Sequence, residues 1–257
     1  MTDYTGLEGG PPDERLRAVG VSLLVAFVGI AAGVVSLIAL AGLLGAVGVP
    51  VRGPGASVVV QYGLSVVALQ GIGFLVVAGA FVYGRDRRDL LRVRVPTLRE
   101  LGVTVAGIVG LLALLAAIQA AYTAFGIQTP NTPIVEDGLA NPTLMLYMIP
   151  LTYLLVGPGE ELMFRGVVQG LLREAYAPAP AIVIASVVFA LIHFTNVLGA
   201  PPAQQVAYLA AIFALSLLLG AIYEYTDNLV VPALIHGSYN ALLFVALYAR
   251  ATGLAPA

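Results

Sequence analysis

The sequence predicts an all-α fold: a polytopic bundle of about seven to eight transmembrane helices that encloses a membrane-embedded cavity. Of its 257 residues, 60% are hydrophobic and only 10% are charged, whereas soluble domains have about 25% charged residues. Several apolar runs reach about 20 residues, which is enough to cross the roughly 30 Å hydrocarbon core of a bilayer. We therefore expect a multi-pass protein of the cell membrane, with the lipid bilayer as its surroundings.

The apolar runs predict seven spans in order along the chain, separated by joints that are rich in Gly and Pro. Segment 158–175 is predicted as an additional membrane-embedded helix or as the lower half of a kinked one. The polar residues 1–17 are expected to form a disordered tail, and 18–257 a single integral-membrane domain with its core at about 142–245. The predicted spans are 18–47, 57–83, 101–125, 142–157, 179–197, 204–224 and 229–249.

The distribution of arginine predicts the orientation in the membrane. Six arginines cluster in the loop at 84–99, and the positive-inside rule places such a loop in the cytoplasm. Arg15 and Arg17 agree with this orientation. The side of the C-terminus depends on whether residues 142–175 cross the membrane once or twice, and the sequence leaves that open.

The number of cysteines and the net charge exclude some classes of function. No cysteine is present, which excludes disulfides, thiol nucleophiles and Cys-ligated metals. The net charge is −2, and membrane orientation accounts for the basic loop, so no nucleic-acid partner is expected. The sequence does not indicate an oligomeric state.

A small set of polar residues interrupts the apolar C-terminal half. Ionisable groups within a bilayer are costly and usually face the protein interior at a functional site. Both histidines of the chain lie inside apolar runs. The candidate site residues are Glu160, Glu161, Arg165, His193, His236 and Asn240.

Spacing relates these residues to one another. Pro158 and Gly159 predict a helix start, with Glu160 and Glu161 in the first turn near the positive end of the helix dipole. Glu161 and Arg165 are four residues apart and can pair, which leaves Glu160 to point elsewhere. His236 and Asn240 are also four apart and project from one helix, and Phe189 lies one turn before His193.

Structural interpretations compete with this functional one. A Glu–Arg pair often staples membrane helices, a buried histidine can simply bind a backbone carbonyl, and Asn240 can bond across helices. Each interpretation is reasonable for one residue. The presence of all six residues in three consecutive segments favours a functional site.

Three motifs carry a resemblance to a known family: EELMFR at 160–165 (EExxxR), FALIH at 189–193 (FxxxH) and HGSYN at 236–240 (HxxxN). In this order and spacing they resemble the CPBP family. That family includes the CAAX prenyl protease 2 group, abortive-infection (Abi) proteins and bacteriocin-processing enzymes. The resemblance implies an integral-membrane endopeptidase with a catalytic cavity. Its substrate would be a membrane-anchored protein or peptide, and a CAAX-type prenylated protein is one such class.

The resemblance also implies roles for the six residues. Glu160 would activate the attacking water with help from His193. His236 and Asn240 would donate hydrogen bonds to the oxyanion. Glu161 and Arg165 would hold the geometry through their pairing.

Two alternatives stay open at this point. Glu160, His193 and His236 could instead bind Zn²⁺ in a metallopeptidase, although the HExxH signature is missing, and we favour a mechanism without a cofactor. The protein could also be a non-enzymatic transporter or scaffold. A transporter would predict inverted repeats or paired broken helices in the two halves, and the N-terminal half has no matching polar cluster.

Overall fold

The computed structural model describes residues 10–254, and every regular element within them is helical. The prediction of an all-α bundle is confirmed. A short 3₁₀ turn, Arg88–Leu91, lies between the second and third helices. We number the helices α1 (Pro12–Ala46), α2 (Val58–Gly84), α3 (Leu98–Ala124), α4 (Pro133–Ala140), α5 (143–172), α6 (Pro178–Val197), α7 (Pro202–Thr226) and α8 (Val230–Ala251).

Six of these helices, all except α4 and α5, are long and apolar enough to cross a membrane. The protein is therefore a multi-pass membrane protein. The predicted tail needs a correction, because α1 begins at Pro12 and residues 12–17 are helical. Proline suits the first helical position, and Asp13 and Glu14 in the first turn complement the helix dipole. The earlier part of the predicted tail, residues 1–9, lies outside the described residues.

Residues 143–172 form one continuous helix, α5, in place of two separate segments. The glutamates therefore lie in the middle of a helix, and the prediction that Pro158 starts a new one is wrong. Proline lacks an N–H and its ring crowds the preceding turn. Here π-helical turns at Thr152–Val156 and Leu162–Gln169 flank the stretch Gly157–Glu161, and their wider winding accommodates the proline.

Helix α5 runs parallel to α2, and contacts at both ends of the two helices show this. At one end, Tyr62 near the start of α2 donates a hydrogen bond to Asp137, which precedes α5. At the other end, Arg87 after α2 pairs with Glu174 after α5.

One end of the bundle carries nine of the twelve arginines. This is the end that the positive-inside rule predicts to be cytoplasmic. Its ion pairs connect the loop between α2 and α3 to the ends of other helices, and the Arg87 guanidinium beside Asp89 holds the pKa of that carboxyl below its usual value. The nine arginines are Arg15, Arg17, Arg85, Arg87, Arg88, Arg92, Arg94, Arg99 and Arg173.

Small residues bring α1 and α2 into close contact. A Cβ added at Gly73 would lie 2.5 Å from the carbonyl oxygen of Gly29, and one added at Gly29 would lie 2.8 Å from that of Gly73. Helix backbones in membranes approach this closely where both residues are small. The other side of α2 packs on α5, where the rings of Phe74 and Phe164 meet edge to face at 5.4 Å. This packing places α2 beside the glutamates.

Candidate active site

The centre of the bundle holds a buried cluster of ionisable side chains. Glu160, Glu161 and Arg165 come from the middle of α5, and His236 comes from the second turn of α8. All four are buried, and Glu161 and Arg165 are almost completely inaccessible. The structure therefore brings together four of the six residues predicted from the sequence.

Both carboxylate oxygens of Glu161 have a charged or polar neighbour. Its Oε2 lies 3.2 Å from Arg165 Nε, one helical turn away, as the spacing predicts. Its Oε1 lies 2.8 Å from His236 Nδ1. Because a carboxylate only accepts hydrogen bonds, Nδ1 carries hydrogen and donates it. Glu161 thus links α5 to α8 and orients the His236 ring.

Arg165 is held from two further helices. Its Nη2 donates to Ser216 on α7, at 3.1 Å to the hydroxyl and 3.3 Å to the carbonyl oxygen. Its guanidinium carbon lies 4.6 Å from the centre of the Phe189 ring on α6, a distance at which a cation is attracted to an aromatic face. The Glu161–Arg165 pair therefore fixes four helices, α5 to α8, around one point.

Glu160 has one engaged oxygen and one free oxygen. Gln70 on α2 donates from Nε2 to Glu160 Oε1 at 3.2 Å. The other oxygen, Oε2, is buried without a hydrogen-bond partner among the described residues and lies 3.9 Å from His236 Nε2. An oxygen atom placed beside this pair can lie at hydrogen-bond distance from both.

His193 lies at the edge of this cluster and makes no direct polar contact with Glu160 or His236 in the described structure. Its Nδ1 lies 2.8 Å from the carbonyl oxygen of Phe189 and therefore donates, which makes Nε2 an acceptor in the neutral ring. The rings of Phe189 and His193 are 4.7 Å apart, and those of Phe189 and His236 are 6.2 Å apart. The Phe189 ring therefore lies close to both histidine rings.

Asn240 lies one turn after His236 on α8. It is half-buried, and none of the side-chain hydrogen bonds found within residues 10–254 involves its amide. Side-chain amides buried for structural reasons usually bond to a neighbouring helix. An amide without such a bond retains two N–H donors for another molecule.

The zinc alternative requires Glu160, His193 and His236 to converge on one point. Within the described residues, no group of three or more His, Asp or Glu side chains is arranged to hold a metal ion. Nδ1 of His236 binds Glu161 and Nδ1 of His193 binds a backbone carbonyl, which leaves Nε2 of each ring as the nitrogen that could face a metal or a water molecule. No chemical step is derived through a metal.

The sequence analysis missed two polar partners and the role of two glycines. Gln70 and Ser216 each contact a site residue from a helix outside the motifs. A Cβ at Gly159 would lie 2.6 Å from the carbonyl oxygen of Gln70, and one at Gly157 would lie 2.7 Å from that of Ala233. The glycines beside Pro158 therefore allow α2 and α8 to approach α5. Gln70 was visible as a lone polar residue in the run VALQGIGFLV.

The comparisons with known proteins agree with this geometry. Residues 142–242 match the family described as Rce1-like, type II CAAX prenyl endopeptidase Rce1-like. The resemblance predicted from the three motifs is confirmed over this segment, and it supports a CAAX-type intramembrane endopeptidase at the level of the family. The search of curated proteins and the search of solved structures gave no match.

Proposed function

We propose that this protein hydrolyses a peptide bond in a membrane-associated protein or peptide, with prenylated CAAX-type substrates as the favoured class. The proposal depends on one observation, the 3.9 Å separation between the free Oε2 of Glu160 and Nε2 of His236. A water molecule bound to both atoms has a carboxylate base on one side. A general base of this kind accelerates hydrolysis by about a hundred- to ten-thousandfold.

In the first step, Glu160 Oε2 takes a proton from the water as its oxygen attacks the carbonyl carbon of the substrate. The carbonyl becomes a tetrahedral oxyanion. In the second step, the carbon–nitrogen bond breaks, and the departing amine takes the proton back from Glu160. Water is consumed and no other reactant is needed.

The oxyanion needs hydrogen-bond donors that are already in position. We assign this role to Asn240 and His236, which lie one turn apart on α8. The free amide of Asn240 supports the assignment. In the doubly protonated ring, His236 keeps Nδ1–H on Glu161 and directs Nε2–H towards the reacting atoms.

We assign His193 to help hold the attacking water and so to assist its deprotonation by Glu160. Its Nδ1 is bound to the Phe189 carbonyl, so its Nε2 is the nitrogen available to a water or substrate. The side chain is half-buried, so it lies at the boundary between the buried cluster and the more open part of the molecule.

An apolar groove beside the motif helix supports a lipid-bearing substrate. It has a volume of about 280 Å³ and reaches Pro158, two residues before Glu160. A hydrophobic chain bound there would place an attached peptide close to the buried cluster. Among the lining residues are Leu75, Tyr153, Leu162, Leu229, Val230 and Leu234.

The direct test compares cleavage of a prenylated peptide by wild-type protein and by Glu160→Gln after reconstitution into vesicles. We expect cleavage by the wild type and almost none by the variant, because an amide cannot accept the proton of water. Glu136→Gln, on the exposed surface of α4, is the matched control and should retain full activity. Equal rates for Glu160→Gln and wild type, or no cleavage by either, would favour the transporter or scaffold.

A chelator tests the cofactor separately. We expect the rate of peptide cleavage to stay unchanged when the purified protein is treated with EDTA or phenanthroline. A rate that falls on chelation and recovers on addition of Zn²⁺ would establish the metal-dependent alternative.

A further inference from the structure

Helix α2 brings a polar side chain into the cluster from the half of the chain that lies outside the three motifs. We propose that Gln70 is a positioning residue for Glu160, which it orients for attack by water. This inference rests on the proposed function, because it concerns the same base. Its starting point is the 3.2 Å hydrogen bond from Gln70 Nε2 to Glu160 Oε1.

The hydrogen bond is one of two side-chain contacts that align α2 with the parallel helix α5. Four residues after Gln70, Phe74 is almost completely buried, and its ring meets that of Phe164, four residues after Glu160, at 5.4 Å. Residues four apart lie on one face of a helix. Two successive turns of α2 therefore lie against two successive turns of α5, which fixes the height of the amide relative to the carboxylate.

The close approach of the backbones depends on Gly159. Its missing side chain leaves room for Gln70, since a Cβ there would lie 2.6 Å from the Gln70 carbonyl oxygen and 3.2 Å from its carbonyl carbon. At this position α2 is π-helical, from Val67 to Val76. Such turns are rare and often occur at functional sites. The unusual winding, the glycine and the hydrogen bond all occur at this one contact.

The two carboxylate oxygens of Glu160 therefore have different roles in the reaction. Gln70 binds Oε1, and this holds the plane of the carboxylate so that Oε2 faces His236 Nε2. Without the amide, the carboxylate can rotate and the base spends less time in the productive orientation. The same N–H also stabilises the charged carboxylate that accepts the proton.

The test replaces Gln70 in the full-length protein reconstituted in vesicles, with a prenylated peptide as substrate. Gln70→Met has a similar length and no donor, and we expect kcat to fall roughly ten- to a hundredfold, the value of a hydrogen bond to a charged group. KM should change less than twofold, because Gln70 contacts the base instead of the substrate. The matched control is Gln61→Met on the same helix, nine residues before Gln70 and in the lining of a separate cavity, and its kinetics should equal those of the wild type.

A second variant separates orientation from packing. Gln70→His keeps an N–H donor, and we expect its kcat to lie between those of wild type and Gln70→Met when thermal stabilities in detergent are matched. Equal losses in Gln70→His and Gln70→Met, or a kcat of Gln70→Met within twofold of wild type, would overturn the inference. If Gln70→Met does not fold, Gln70→Leu takes its place. A higher kcat for Gln70→His than for Gln70→Leu then supports the inference, and equal values overturn it.

The result can be separated from a failure of the proposed function. Loss of cleavage in Glu160→Gln together with wild-type kinetics in Gln70→Met leaves the base in place and rejects only the role of Gln70. Undiminished cleavage in Glu160→Gln rejects both. A drop in kcat for both variants supports both.

Discussion

The two sides of α5 at the glutamates differ in how completely their polar groups are engaged. On the closed side, formed by Glu161, Arg165 and Ser216, the carboxylate binds the arginine and His236, and the arginine is held by α6 and α7. On the open side, formed by Glu160 and Gln70, one carboxylate oxygen is held and the other has no hydrogen-bond partner within residues 10–254. The two adjacent glutamates therefore differ in role: Glu161 belongs to a rigid frame, and Glu160 is a free base.

The largest effect is expected on the open side, from Glu160→Ala. Removal of the base should lower the rate of peptide cleavage by about a thousandfold or more. The thermal unfolding temperature in detergent should change little, since the lost carboxylate makes only one hydrogen bond to the protein. A variant that unfolds readily would instead show that Glu160 belongs to the frame.

The closed side should respond in stability as well as in rate. Arg165→Met leaves the Glu161 carboxylate buried without its charged partner, which typically costs about 3–5 kcal/mol. The double variant Glu161→Gln/Arg165→Met removes both charges and should recover much of this stability, because replacing both members of a buried ion pair is often neutral. Unfolding by denaturant measures both variants.

The double variant should nevertheless cleave poorly. Glutamine at 161 binds His236 Nδ1–H more weakly than a carboxylate does, so the orientation of the ring is less well defined. Recovery of both stability and wild-type cleavage would show that the closed side has a purely structural role.

Asn240→Ala is expected to have an intermediate effect on the rate. Loss of one oxyanion donor typically lowers kcat by about a hundred- to a thousandfold. Because the amide makes no hydrogen bond to the described protein, stability should stay near that of the wild type. Asn196→Ala, an exposed amide at the end of α6, provides the control. Cleavage by Asn240→Ala at the wild-type rate would remove this residue from the mechanism.

The smallest effect should come from the ion pair between Arg92 and Asp227 at the arginine-rich end of the bundle, which lies outside both sides of the site. The two side chains remain substantially solvent-exposed, and such pairs contribute no more than about 1 kcal/mol. Arg92→Met should therefore leave kcat unchanged and lower stability only slightly, with a still smaller difference in high salt. A large loss of activity would show that the loop between α2 and α3 controls the site.

The residues of the motifs were predictable because burial of charge in an apolar segment is costly wherever it occurs. Glu160, Glu161 and Arg165 stand out in an apolar run, and their spacing alone predicted the pair between Glu161 and Arg165. The course of residues 143–172 was not predictable in this way. Composition could not distinguish a break at Pro158 from a continuous helix with π-helical turns.

The sequence by itself determined a helical membrane protein, the approximate limits of its spans and the residue types available for chemistry, because hydropathy and helical periodicity are local properties. The tertiary structure decided which of those residues meet. Gln70 lies 90 positions from Glu160, and Arg165 lies 51 from Ser216. Such contacts depend on how closely the helices pack. Gly157 and Gly159 have no side chains, which lets the backbones at Ala233 and Gln70, from distant parts of the chain, come close to α5.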